Sequence, residues 1–120
     1  MIQVSHCGRE VLINGNSVKL EYDVREAFEL DGQVIVLLDP NAYLQDSSYS
    51  KERRRGHSAL KNLRALSTTG DLLWAAEFPE AADYYYKIVD RYPLTALSFS
   101  SFRCVIDRVT GRIVSKEFCK

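Results

Sequence analysis

Apolar and polar positions alternate with a period of two along most of this chain. Ser17 to Arg25 sets Val18, Leu20, Tyr22 and Val24 against Ser17, Lys19, Glu21, Asp23 and Arg25. That pattern predicts a strand with one face buried, paired antiparallel. Asn14-Gly15 before it, and Asp31-Gly32 after Phe28-Glu29-Leu30, favour the two positive φ angles of type I′ turns, so two hairpins are predicted. Val34 to Leu38 is apolar on both faces and should lie centrally, covered on both sides, until Asp39-Pro40 ends it.

Between Asn41 and Lys61 the alternation stops. Residues 39–61 read as a long polar and basic insertion loop within a single domain of residues 1–120, with a short helix over Tyr49 to Arg55. Uninterrupted loops of that length are usually functional or disordered. Period two resumes in Asn62–Leu66 and in Asp71–Phe78, where Leu72, Trp74, Ala76 and Phe78 share a face. Asp83–Asp90, Leu94–Ser98, Phe102–Asp107 and Arg112–Phe118 read as further strands, about nine in all. The expected fold is all-β or β-dominated: antiparallel hairpins and meanders, as a partial-propeller-like sheet or a two-sheet sandwich, with at most one short helix. Its core should include Val18, Leu20, Tyr22, Val34, Val36, Leu63, Trp74, Phe78, Ile88, Cys104 and Ile106.

The turn Thr69-Gly70, followed by Trp74, recurs 41 residues later as Thr110-Gly111, followed by Ser115. That spacing is near the ~40–45 residues of a propeller blade. Ala65-Leu66 leading into Thr69-Gly70-Asp71-Leu72-Leu73-Trp74, and Val105-Ile106-Asp107 leading into Thr110-Gly111-Arg112-Ile113-Val114, resemble the blade signature of quinoprotein-type β-propellers. Ser67 stands where that signature has Asp, and Ser115 where it has Trp. The resemblance implies repeated meander units, without a quinone or a dehydrogenase activity. A closed propeller needs at least about four blades, more than this length supplies. The chain is also similar in kind to small bacterial β-meander proteins, some of which are immunity proteins encoded beside secreted toxins. That likeness implies an inhibitor that covers a toxin.

Composition adds the exclusions. With 120 residues, 46% hydrophobic and 27% charged, the chain is an ordinary globular protein, so disordered, collagen-like and membrane-spanning classes drop out. Sixteen basic and sixteen acidic side chains cancel, yet they fall in blocks of −5 (residues 1–50), +5 (51–64), −4 (65–83) and +4 (84–120). Lys51, Arg53, Arg54, Arg55, Lys61 and Arg64 could grip an acidic protein surface, with Arg suited to bidentate contacts. The plainer reading is a solvated run. Nucleic acid is a poor fit, because the net charge is zero and no stacking aromatics interleave the run. Tyr84, Tyr85 and Tyr86 are the second candidate for partner contact, Tyr84 and Tyr86 on one face and Tyr85 on the other. The plainer reading is a sheet core with hydroxyls at its rim.

Catalytic and metal signatures are missing. His6 and Cys7, adjacent in an extended chain, point to opposite sides, and His57 sits among cations with no carboxylate motif to orient it. Cys7, Cys104 and Cys119 show no ligand or disulfide spacing, and Cys104 reads as a small buried hydrophobe. The first residues lack a secretory pattern, so a cytoplasmic protein is expected. The sequence therefore points to a non-catalytic protein-binding module without cofactor or metal, possessing partner contacts at Lys51, Arg53, Arg54, Arg55, Arg64, Tyr84, Tyr85 and Tyr86. The alternatives are a small-ligand or carbohydrate-binding β domain, with Tyr84, Tyr86 and Trp74 lining a cleft, and a self-associating homodimer that completes open sheet edges.

Overall fold

The computed structural model describes residues 2–41, 61–80 and 83–119. Among the described residues eleven strands run in order: β1 (Val4–Cys7), β2 (Glu10–Ile13), β3 (Asn16–Lys19), β4 (Val24–Leu30), β5 (Gln33–Leu38), β6 (Leu63–Leu66), β7 (Leu72–Ala75), β8 (Tyr85–Arg91), β9 (Leu94–Ser98), β10 (Phe102–Ile106) and β11 (Ile113–Phe118). They form three antiparallel meanders, ordered β1-β2-β3, β4-β5-β6-β7 and β11-β10-β9-β8. The antiparallel all-β expectation holds, with three sheets and more strands than the pattern suggested. The short helix expected over Tyr49 to Arg55 lies outside the described residues.

The central position of β5 organises the packing. Val34, Val36 and Leu38 join Val11, Ile13, Val24 and Leu66 in a layer between the first and second sheets. Ile35 and Leu37 point the other way, joining Leu63, Trp74, Tyr85, Leu94, Ala96, Cys104 and Ile106 between the second and third. All five residues from Val34 to Leu38 are fully buried, each worth roughly 1.5–3 kcal/mol of transfer free energy. Both hairpin turns form as their dipeptides require: φ is 50° and 85° at Asn14 and Gly15, and 49° and 85° at Asp31 and Gly32.

Two local readings need correction. Ser17 to Arg25 is not one strand, because the chain crosses from the first sheet to the second between Lys19 and Val24. Leu20 N–H donates to the Arg9 carbonyl and Val24 N–H to that of Gly8, both at 2.8 Å, which carries the crossing. Val18, Leu20 and Tyr22 still share a side, half-buried against the first apolar layer. Leu72 does not share the face of Trp74. A register shift beside Leu66 sets Leu72 opposite Leu66 and Trp74 opposite Ala65, so Leu73 is the extra residue. Leu72 and Leu73 are both exposed as a result, as a bulge dictates.

The repeated Thr-Gly turns have a packing meaning. Gly111 has φ 77°, and a Cβ there would lie 2.8 Å from Cε3 of Trp74. Trp74 Nε1 donates to the Arg108 carbonyl at 2.8 Å, so the indole of the second sheet is seated on the last turn of the third. One sheet earlier the relationship recurs: a Cβ on Gly70 would lie 2.7 Å from Cγ2 of Val18 on β3. Each glycine turn is thus covered by a side chain from the final strand of the preceding sheet. Ser115, in the place corresponding to Trp74, lies on exposed β11 at the end of this series.

Candidate functional site

Around the end of β5 and the starts of β6 and β8 the chain is fastened by two buried polar side chains, Asn62 and Asp83. Asn62 Nδ2 donates to the carbonyls of Leu38 (3.1 Å) and Tyr85 (2.6 Å), and its Oδ1 accepts the Tyr85 N–H (3.1 Å). This amide bonds β5 to the start of β8. The buried Asp83 carboxylate accepts the N–H groups of Tyr84 (2.8 Å) and Ser100 (3.2 Å), and also the Ser100 hydroxyl. Buried polar groups satisfied in this way fix geometry.

The aromatic side chains these anchors position are the main feature of this end. Tyr84 stacks on Phe99, with ring centroids 5.1 Å apart and planes 16° from parallel. Their backbones are joined by the Phe99 N–H donating to the Tyr84 carbonyl at 2.9 Å. Phe99 is 61% exposed and Tyr86 40% exposed. Arg25 binds the Tyr86 carbonyl at 2.9 Å and the Asp39 carboxylate at 3.3 Å, bracing the same edge. Arg64 donates to the Lys61 carbonyl (2.7 Å) and to Glu21 (2.5 Å). Partial burial works against ionisation of Glu21, but the Arg64 hydrogen bond prevails and holds its pKa below the ordinary value.

The sequence-derived contacts separate accordingly. Lys51, Arg53, Arg54 and Arg55 lie outside the described residues. Tyr84 packs on Phe99, while Tyr86 is exposed and is the extra residue of a register shift in β8. Tyr85 does not belong with them. It is fully buried, its hydroxyl donates to the Glu77 carbonyl at 2.5 Å, and burial pushes its phenol pKa far above the ordinary value. Alternation along the strand sends this ring into the core. Arg64 is half-buried and committed to Glu21 and Lys61. Phe99 was missed, although an apolar residue inside the run Ser98-Phe99-Ser100-Ser101 is a visible anomaly. Trp74 is buried under Gly111, which removes it from any cleft with Tyr84 and Tyr86.

Other candidate chemistry is sparse. Among the described residues no group of three or more His, Cys, Asp and Glu could hold a metal ion. Cys104 is buried, with its thiol pKa raised by that burial, while Cys7 and Cys119 are exposed and free. Among the described residues, two open grooves of about 400 Å³ and about 370 Å³ lie beside β1 and beside β11. Among the described residues no helix is long and apolar enough to cross a membrane.

Fold and site together define an all-β meander protein with exposed aromatic side chains near the start of β8. The chain belongs to the family described as Domain of unknown function (DUF7957), whose model matches residues 1–118. No curated protein and no solved structure matches it.

Proposed function

We propose that this protein is a non-catalytic protein-binding module whose loop end docks an acidic surface of its partner. The observation that carries the reading is the stacked Tyr84–Phe99 pair, with Phe99 61% exposed and exposed Tyr86 two residues further along the chain from Tyr84. Aromatic side chains on a rigid support are the usual anchors of interfaces, because they bury large area at small entropic cost. Charge supports the same end. The stretch 51–64 carries a net +5, and its residue Asn62 bonds Tyr85 at the start of β8, so partner contacts from Lys51, Arg53, Arg54 and Arg55 are part of the proposal. An immunity-type inhibitor that covers a toxin is its specific form.

The test is binding of an identified partner by isothermal titration, comparing wild type with Phe99→Ala, Tyr86→Ala and the triple Arg53, Arg54 and Arg55→Ala variant. The reading expects at least a tenfold loss for Phe99→Ala and a steep salt dependence that the triple variant flattens. Unchanged affinity in all three would overturn it.

A further inference from the structure

We propose that this chain packs against a second copy of itself, the third sheet of each copy lying face to face on the first sheet of the other, so that two chains of three sheets each close a ring of six. These faces are distinct from the aromatic residues near the start of β8, and either reading can stand without the other.

The chain makes one contact twice and leaves a third instance of it open. Gly15, Gly70 and Gly111 each stand in the turn before the last strand of their sheet, with φ of 85°, 94° and 77°. A Cβ on Gly70 would lie 2.7 Å from Val18 of the preceding sheet, and one on Gly111 would lie 2.8 Å from Trp74 of the preceding sheet. A Cβ on Gly15, whose sheet is the first, would meet nothing within 4 Å. At that place is an open groove of about 400 Å³ lined by Gln3, Val4, Ser5, Leu12 and Gly15.

Register identifies the strand that belongs on this seat. Val18 stands opposite Val11, Trp74 opposite Ala65 and Ser115 opposite Val105. Leu73 and Val114 are the extra residues just before Trp74 and Ser115, so β7 and β11 reach those positions in the same way. Ser115 is therefore the third member of the series, exposed on the last strand of the last sheet.

The two end faces suit each other in composition. Val11 and Ile13 of β2 point into the first apolar layer, and Cys104 and Ile106 of β10 into the second, so their neighbours along each strand face outward. Across the first sheet one outward row reads Ser5, Leu12, Ser17, and across the third one reads Thr95, Val105, Ser115. Leu12 and Val105 are half-buried and belong to neither apolar layer. A sheet that ends a stack carries a polar outer face, whereas each of these rows holds an apolar residue between small side chains and no charge. The adjoining rows carry matched pairs, Glu10 opposite Lys19 and Arg103 opposite Glu117, so neither row brings net charge to the contact. Seating Ser115 of one copy on Gly15 of the other brings the two faces together, as Val18 on Gly70 and Trp74 on Gly111 do within the chain.

Closure sets the number of copies. A contact between two different faces either closes into a ring or runs on as an open filament. Rings of radially repeated sheets hold about 4–8 of them, and with three sheets per chain two copies alone fall in that range.

Sedimentation equilibrium of the full chain, from micromolar to millimolar concentration, tests the proposal. The expected molar mass rises to twice that of the chain and no further. Ser5→Arg and Ser115→Arg alter exposed side chains, so each should keep the wild-type circular dichroism spectrum while weakening the dimer at least tenfold. Ser115→Trp, which gives β11 the side chain that covers Gly111 within the chain, should tighten the dimer at least tenfold. A monomer at every concentration, growth beyond two copies, or a dimer that both arginine variants leave intact overturns the proposal.

Discussion

Trp74 and Gly111 are in a contact that leaves no room for a methyl group: a Cβ on the glycine would sit 2.8 Å from the indole. The position also has φ 77°, so alanine there meets both a clash and backbone strain. Gly111→Ala should destabilise the fold by about 2–4 kcal/mol in urea unfolding. Gly8 is the internal control, with φ 59° and nothing within 4 Å, so Gly8→Ala should cost only about 1 kcal/mol. Equal losses at the two sites would show that the seat of the indole contributes nothing. Trp74→Phe removes the donor to the Arg108 carbonyl, but Gln33 Nε2 still donates to that oxygen at 2.8 Å. Its expected cost is about 1–2 kcal/mol.

Asn62 ties the start of β8 to the second sheet with three hydrogen bonds from a fully buried side chain. Asn62→Ala leaves the Leu38 and Tyr85 backbone groups buried without those partners, which should cost about 2–4 kcal/mol. Hydrogen exchange at the Tyr85 amide should accelerate more than exchange at the centre of β5. Uniform acceleration would contradict a local anchoring role.

Asp31 and Arg108 pair across the turns of the second and third sheets, with the Tyr92 hydroxyl also on the carboxylate at 3.4 Å. The Arg108 hydrogen bond lowers the Asp31 pKa from its ordinary 3.8. A depressed carboxylate contributes stability that is complete above the ordinary value and lost as pH falls through the folded one. Asp31→Asn suits the left-handed turn yet cannot ionise. Wild type should therefore be more stable than Asp31→Asn at pH 6 in low salt, and the gap should narrow as pH falls below the ordinary value of 3.8. A gap independent of pH would assign the effect to something other than the ion pair.

Phe99 and Tyr86 are exposed, so their replacement should leave the fold intact. Phe99→Ala and Tyr86→Ala are each expected to change stability by no more than about 0.5–1 kcal/mol, while Phe99→Ala weakens partner binding at least tenfold. A large loss of stability in Phe99→Ala would make the Tyr84 stack a structural element first.

The legible parts of this fold are those set by local chemistry. Asn14-Gly15 and Asp31-Gly32 demand positive φ, and Val34 to Leu38 has no polar face to give to water. The break between Lys19 and Val24 was hidden because both sheets bury the same apolar layer, so the alternation of Val18, Leu20, Tyr22 and Val24 continues through the crossing. A one-residue bulge at Leu73 reversed the reading of Leu72. At the candidate site, period two sets Tyr85 apart from Tyr84, but the register shift that leaves Tyr86 as an extra residue in β8 has no local signal. The commitment of Arg64 to Glu21 joins residues 43 apart in sequence, and no local pattern reveals it.

Photo-crosslinking tests the central claim most directly. A benzophenone amino acid replaces Tyr86 or Phe99 on the loop end, or exposed Val109 on the last turn of the third sheet, and the cells that make the protein are irradiated. The account predicts one discrete protein adduct from positions 86 and 99, and none from position 109. The same adducts from all three positions, or none from 86 and 99, would contradict it.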